Sequence, residues 1–86
     1  MPYIKQEDRD KFKEVLVLLE KGNFPENAGE LNYFITKVIL TCYNKSGKNY
    51  QIFNDIVGAL EGAKLELYRR HIAPYEDKKI KENGDV

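Results

Sequence analysis

The chain has 86 residues, and 14 lysine and arginine residues balance 14 aspartate and glutamate residues. This length allows one domain, and the zero net charge argues against a general nucleic-acid-binding protein, which carries a basic excess. Hydrophobic residues make up 42% of the chain, as expected for a folded protein, but no apolar run reaches the roughly 20 residues that span a membrane. The polar N-terminus does not resemble a signal peptide, and the single Cys42 forms no intramolecular disulfide, so we expect a cytoplasmic protein.

The first predicted element is an amphipathic helix from Gln6 to Lys21, with Gly22 as its C-terminal stop. Its apolar stripe at helical spacing consists of Phe12, Val15, Leu16 and Leu19. Val17 and Leu18 widen the stripe, so this surface either faces a partner chain or adds cover to the core. A loop over residues 23–29 follows, in which we expect Phe24 to pack onto the helices.

The second predicted helix runs from Glu30 to Tyr43 and is apolar nearly all round. One face carries Leu31, Phe34, Ile35, Val38 and Cys42, whereas Tyr33, Ile39, Leu40 and Tyr43 lie off it. A helix of this kind is buried on most sides. We therefore expect it to be the central element and the main contact of a homo-oligomer that is built on the second and third helices.

The third predicted helix starts at Asn49, a plausible N-cap, and ends near His71 because Pro74 cannot continue it. Phe53, Ile56, Val57, Leu60 and Leu67 should point inward. Gly58 and Gly62 are four residues apart, a spacing that lets another helix approach closely. Residues 75–86 are predicted to be a polar, mobile tail.

Together these elements predict an all-α protein with a helical domain over residues 1–74 and the tail over residues 75–86. The second and third helices should form an antiparallel hairpin across the turn at residues 44–48. Such a small domain is marginally stable alone, and self-association is a common remedy.

Catalytic and metal-binding chemistry finds little support in the sequence. One histidine and one cysteine on different helices do not make a metal site. Ser46, the only serine, lies in a turn, and Cys42 on an apolar face is typical of an inert thiol. We therefore expect no catalytic residue, no metal and no cofactor. An enzyme is the third hypothesis, after two kinds of binding protein.

One cluster near the end of the third helix could bind an anionic aromatic ligand. It consists of Lys64, Tyr68, Arg69, Arg70, His71 and Tyr75. Guanidinium groups bind phosphate through paired hydrogen bonds, and Lys64, Tyr68 and His71 share one face at helical spacing. The competing interpretation is structural: cations stabilise a helix C-terminus, and Glu66 can pair with Arg70.

Several segments of the chain carry a resemblance to a known family. They are residues 1–4 with the acidic stretch that follows, 29–33, 59–70, 73–77 and 83–85. In these segments the chain resembles a small, widespread family of uncharacterised bacteriophage proteins, which implies expression in the cytoplasm of an infected bacterium. In layout alone it is similar to phage anti-CBASS proteins, which are short helical oligomers that sequester cyclic nucleotides between protomers.

The first functional hypothesis is therefore a non-catalytic phage accessory protein, a homo-oligomer that sequesters a small anionic nucleotide-type signal. The ligand would be held by the cluster from Lys64 to Tyr75 near a subunit boundary. The alternative is a protein-interaction module that docks a host protein through its apolar and tyrosine surface.

Overall fold

The computed structural model describes residues 2–86, and every regular element among them is helical. The helices are α1 (Gln6–Arg9), α2 (Lys13–Glu20), α3 (Ala28–Lys45), α4 (Tyr50–Leu67) and α5 (Ala73–Asn83). A 3-10 turn (Asp10–Phe12) joins α1 to α2, and a π-helical turn (Tyr68–Ile72) joins α4 to α5. The described chain thus has three continuous helical segments, which confirms the predicted all-α class with three helices.

The chain divides into two compact units. One comprises Tyr3–Asn54, which holds α1 to α3 and the first turn of α4, and the other comprises Asp55–Val86 with Pro2. The boundary falls inside α4, so each unit is described by itself.

The end of α2 lies where the sequence predicts it. Gly22 has a φ of 104°, a left-handed conformation that glycine adopts without strain. Its N–H donates to the Leu19 carbonyl at 3.2 Å, and the Asn23 N–H donates to the Leu18 carbonyl, also at 3.2 Å. This pair of bonds satisfies carbonyls that the helix end would otherwise leave unpaired.

Side-chain caps set the starts of the two long helices. Asn27 caps α3, because its side-chain oxygen accepts the Glu30 N–H at 2.8 Å, and the Glu30 carboxylate accepts the Glu26 N–H at 3.0 Å. This cap places the start of α3 at Ala28 rather than at the predicted Glu30. The predicted cap Asn49 is confirmed, since its side-chain oxygen accepts the Ile52 N–H at 3.0 Å.

Two aromatic rings are in contact across the turn between α3 and α4. The rings of Tyr43 and Phe53 stack with their centroids 5.0 Å apart and an angle of 20° between their planes. The turn itself contains two residues of positive φ, Gly47 and Lys48. The last turn of α3 and the first turn of α4 are therefore in direct contact within the unit Tyr3–Asn54.

The predicted helix end at Pro74 is wrong. The helix continues through Pro74 to Asn83, because the π-helical turn before it changes the hydrogen-bond pattern: the Ala73 N–H donates to the carbonyl of Tyr68, five residues earlier. Pro74 then lies in the first turn of α5, where the missing proline N–H is tolerated. Most of the predicted tail is consequently helical, while its mobility and the boundary at residue 74 remain predictions.

No side chain among residues 2–86 is buried. The residues predicted to point inward from the third helix are partly or largely exposed, and Phe53, Val57 and Leu67 are at least half exposed. Phe24, predicted to pack onto the helices, is also more than half exposed. The prediction that these side chains are buried is therefore wrong, because each of them remains at least partly accessible to solvent.

Candidate functional site

The six residues of the predicted cluster lie along one continuous helix within the unit Asp55–Val86. Lys64 belongs to the last turns of α4, the π-helical turn contains Tyr68 to His71, and Tyr75 belongs to α5. Four of the six thus fall in a five-residue turn whose geometry is rare in proteins and frequently marks a functional position.

The cations of the cluster pair with carboxylates of their own helix. Lys64 Nζ lies 3.4 Å from Glu61 Oε1, and Glu66 Oε1 lies 3.2 Å from Arg69 Nη2 and 3.7 Å from Arg70 Nε. The Glu66–Arg70 pair is the one that the structural interpretation of the sequence anticipated. Exposed pairs of this kind contribute only about 0–1 kcal/mol each, so they stabilise the helix weakly.

Glu66 is the most covered member of this ionic group. Its side chain is only 21% exposed, whereas those of Arg69 and Arg70 are 68% and 58% exposed. The guanidinium groups of Arg69 and Arg70 are therefore accessible from solvent although both contact Glu66.

The Tyr68 hydroxyl interacts with α5. It donates a hydrogen bond to the carboxylate of Glu76, eight residues further along the chain. This bond raises the pKa of Tyr68 above its ordinary value, and the negative charge of Glu76, partial desolvation and the charge of Asp77 act in the same direction. The sequence analysis missed Glu76 because it assigned that residue to a tail beyond the end of the helix.

The π-helical turn also changes the predicted face of the cluster. The shared face of Lys64, Tyr68 and His71 assumed regular α-helical spacing, but that spacing ends at Tyr68. His71 therefore does not follow Tyr68 at the predicted angle. Further along, the Lys79 ammonium lies 5.6 Å from the ring centroid of Tyr75, a cation–π contact on the ring that was expected to face a ligand.

Two open depressions lie in the unit Tyr3–Asn54. One has a volume of about 550 Å³ and lies where the loop at Phe24 and Pro25 meets the start of α3 at Tyr33 and Phe34. The other, of about 420 Å³, is on α2 and is lined by Lys13, Glu14, Val17 and Leu18. Neither depression includes a residue of the predicted cluster.

Alkaline titration tests the contact between Tyr68 and Glu76. The raised pKa means that folded protein holds the Tyr68 proton more tightly than unfolded protein does. This contribution to stability is complete below about pH 10 and is lost as the pH rises through the folded-state pKa. Because the chain has six tyrosines and no tryptophan, tyrosinate absorbance follows the titration directly.

We expect Tyr68→Phe to remove a component that titrates above the ordinary tyrosine pKa. Glu76→Gln should lower the pKa of Tyr68 towards its ordinary value, whereas the control Glu82→Gln, also in α5, should leave it unchanged. A tyrosinate titration that Glu76→Gln leaves unchanged would show that the hydrogen bond between Tyr68 and Glu76 does not form in solution.

The described part of the chain holds neither a group of metal ligands nor a helix suited to span a membrane. Within residues 2–86, no three side chains of His, Cys, Asp or Glu are grouped so that they could hold a metal ion. In the same residues, no helix combines the length and the apolar character needed to cross a membrane.

Fold and exposure together define a small all-α protein with uncovered apolar helix faces. The chain belongs to the family described as a domain of unknown function, DUF6899, whose model matches residues 1–86. No curated protein and no solved structure matches the chain.

Proposed function

We propose that this protein is a non-catalytic protein-interaction module of the bacterial cytoplasm that docks another polypeptide on the exposed apolar surface of α2. The observation that supports this function is the exposure of large apolar side chains on every long helical segment. Contiguous exposed apolar surface is rare on monomeric proteins and marks interaction sites.

The most continuous surface of this kind is on α2. We define the α2 surface as Val15, Leu16, Val17 and Leu18, all of which are between 41% and 55% exposed. Four consecutive residues cover more than one side of a helix, so one neighbouring helix of the same chain would not cover them all. Full burial of such a side chain contributes roughly 1.5–3 kcal/mol, which gives a docked polypeptide its driving force.

The test is the recovery of a stoichiometric partner on tagged protein expressed in a bacterium. Leu18→Asp should abolish recovery, because it places a charge in the apolar contact. Leu65→Asp is the matched control, since Leu65 is 54% exposed and Leu18 is 55% exposed but Leu65 lies on α4. Equal recovery with both variants, or no stoichiometric polypeptide on the wild-type protein, would contradict the proposal.

A second candidate function is sequestration of a small anionic nucleotide by a phage accessory protein, at the cluster from Lys64 to Tyr75. Two observations favour it: the π-helical turn coincides with most of the cluster, and the guanidinium groups of Arg69 and Arg70 are largely exposed to solvent. Mass spectrometry of the same purified protein after denaturation separates the two functions. Release of a nucleotide without any partner polypeptide supports sequestration.

A further inference from the structure

We propose that Pro74 is a positioning residue that holds the π-helical turn before it and thereby brings Glu76 to Tyr68. The proposal concerns the unit Asp55–Val86 alone and goes beyond the docking of a polypeptide on α2. Three observations carry it: the hydrogen-bond register of the turn, the position of Pro74 two residues after it, and the contact between Tyr68 and Glu76.

Pro74 is incompatible with an uninterrupted α-helix at its position. A proline in a helix interior lacks the N–H that would donate to the carbonyl four residues earlier, and its ring collides with that carbonyl. For Pro74 this is the carbonyl of Arg70, which lies inside the π-helical turn. In the turn the Ala73 N–H donates to the carbonyl of Tyr68, so a longer register replaces the regular one where the collision would occur. Pro74 thus supplies a local physical reason for the turn.

The turn also decides which residue lies beside Tyr68. Each residue of an α-helix is rotated by about 100° from the one before it, so residues eight apart in an unbroken α-helix lie about 80° from each other around the axis. A π-helical turn holds one extra residue, so eight residues that include it cover the rotation of seven, and the angle falls to about 20°. Tyr68 and Glu76 are then on one side of the helix, as their hydrogen bond requires.

An unbroken α-helix would bring Tyr75 to that place instead. Tyr75 follows Tyr68 by seven residues, which is close to two α-helical turns, whereas with the π-helical turn the two lie about 120° apart. In the structure the ring of Tyr75 contacts Lys79, whose ammonium lies 5.6 Å from the ring centroid. Pro74 therefore determines whether the cluster presents a carboxylate or a second aromatic ring beside Tyr68, and so which chemistry it offers to a ligand.

Pro74→Ala tests the proposal in the folded protein. Alanine restores the missing N–H and removes the ring, so the α-helical register becomes available through the turn. In nuclear Overhauser spectra the contact of Tyr68 with Glu76 should be lost and a contact with Tyr75 should appear. The pKa of Tyr68 should fall towards its ordinary value. Lys78→Ala is the matched control, because it also introduces alanine into α5 but keeps Pro74, and it should change neither measurement.

Persistence of the contact between Tyr68 and Glu76 in Pro74→Ala overturns the proposal, and so does an equal effect of both variants. A second measurement needs no variant: in the wild-type protein, scalar coupling across the hydrogen bond from the Ala73 N–H should identify the carbonyl of Tyr68 as its acceptor. A coupling to the carbonyl of Arg69, four residues earlier, overturns the proposal even if Pro74→Ala fails to fold. None of these results depends on a partner, so the proposed docking on α2 and this inference stand or fall separately.

Discussion

Replacing Gly58 with alanine will increase the free energy of unfolding by about 1 kcal/mol and raise Tm by about 4–8 °C. Gly58 lies in the interior of α4, where glycine is less favourable than alanine because its backbone loses more conformational freedom on folding. Apart from the neighbouring residues and the backbone of its own helix, no heavy atom lies within 4 Å of the position that a Cβ atom at Gly58 would take, so the methyl group has room.

The matched control is Ala59→Gly, at the neighbouring position of the same helix. It should lower Tm by a similar amount, because it introduces the same backbone cost without removing a large side chain. Thermal unfolding followed by circular dichroism measures both variants. A lower Tm for Gly58→Ala would contradict the open environment of Gly58 and would place another helix against it, as the Gly58–Gly62 spacing alone suggests.

The positions where helices begin and end were predictable wherever local chemistry decides them. Gly22 ends α2 and Asn49 caps α4, because the bonds that end or start these helices involve residues no more than five positions apart. Pro74 shows the limit of this reasoning. A proline usually ends a helix, but here the π-helical turn before Pro74 allows the helix to continue. No local sequence pattern predicts such a turn.

The sequence predicted which charged residues of the candidate site pair locally, but it did not predict the contacts that depend on the helix continuing past Pro74. The pairing of Glu66 with Arg70 follows from their spacing of four residues. The contact of Tyr68 with Glu76 spans eight residues and depends on a helix that the sequence appeared to terminate. Whether the six residues of the cluster bind a ligand stays a prediction.

Apolar periodicity identified the apolar faces but not what covers them. The stripe with Phe12 on the first helical segment and the apolar face of α3 with Val38 were both visible in the sequence. The spacing of hydrophobic residues shows only that one side of a helix favours burial. A helix of the same chain and a helix of a partner can both bury that side. The exposure of these apolar faces is therefore seen only in the structure, and the proposed docking of a polypeptide depends on it.

The dependence of thermal stability on protein concentration tests this account most directly. If the docked polypeptide is a second copy, as in the predicted homo-oligomer, unfolding dissociates the assembly, and a hundredfold increase in concentration adds about 2.7 kcal/mol per dimer. For a dimer of this size, Tm should rise by about 5–10 °C. A cooperative transition at one Tm across the whole concentration range would show that a single chain folds around a core of its own, and would contradict the account.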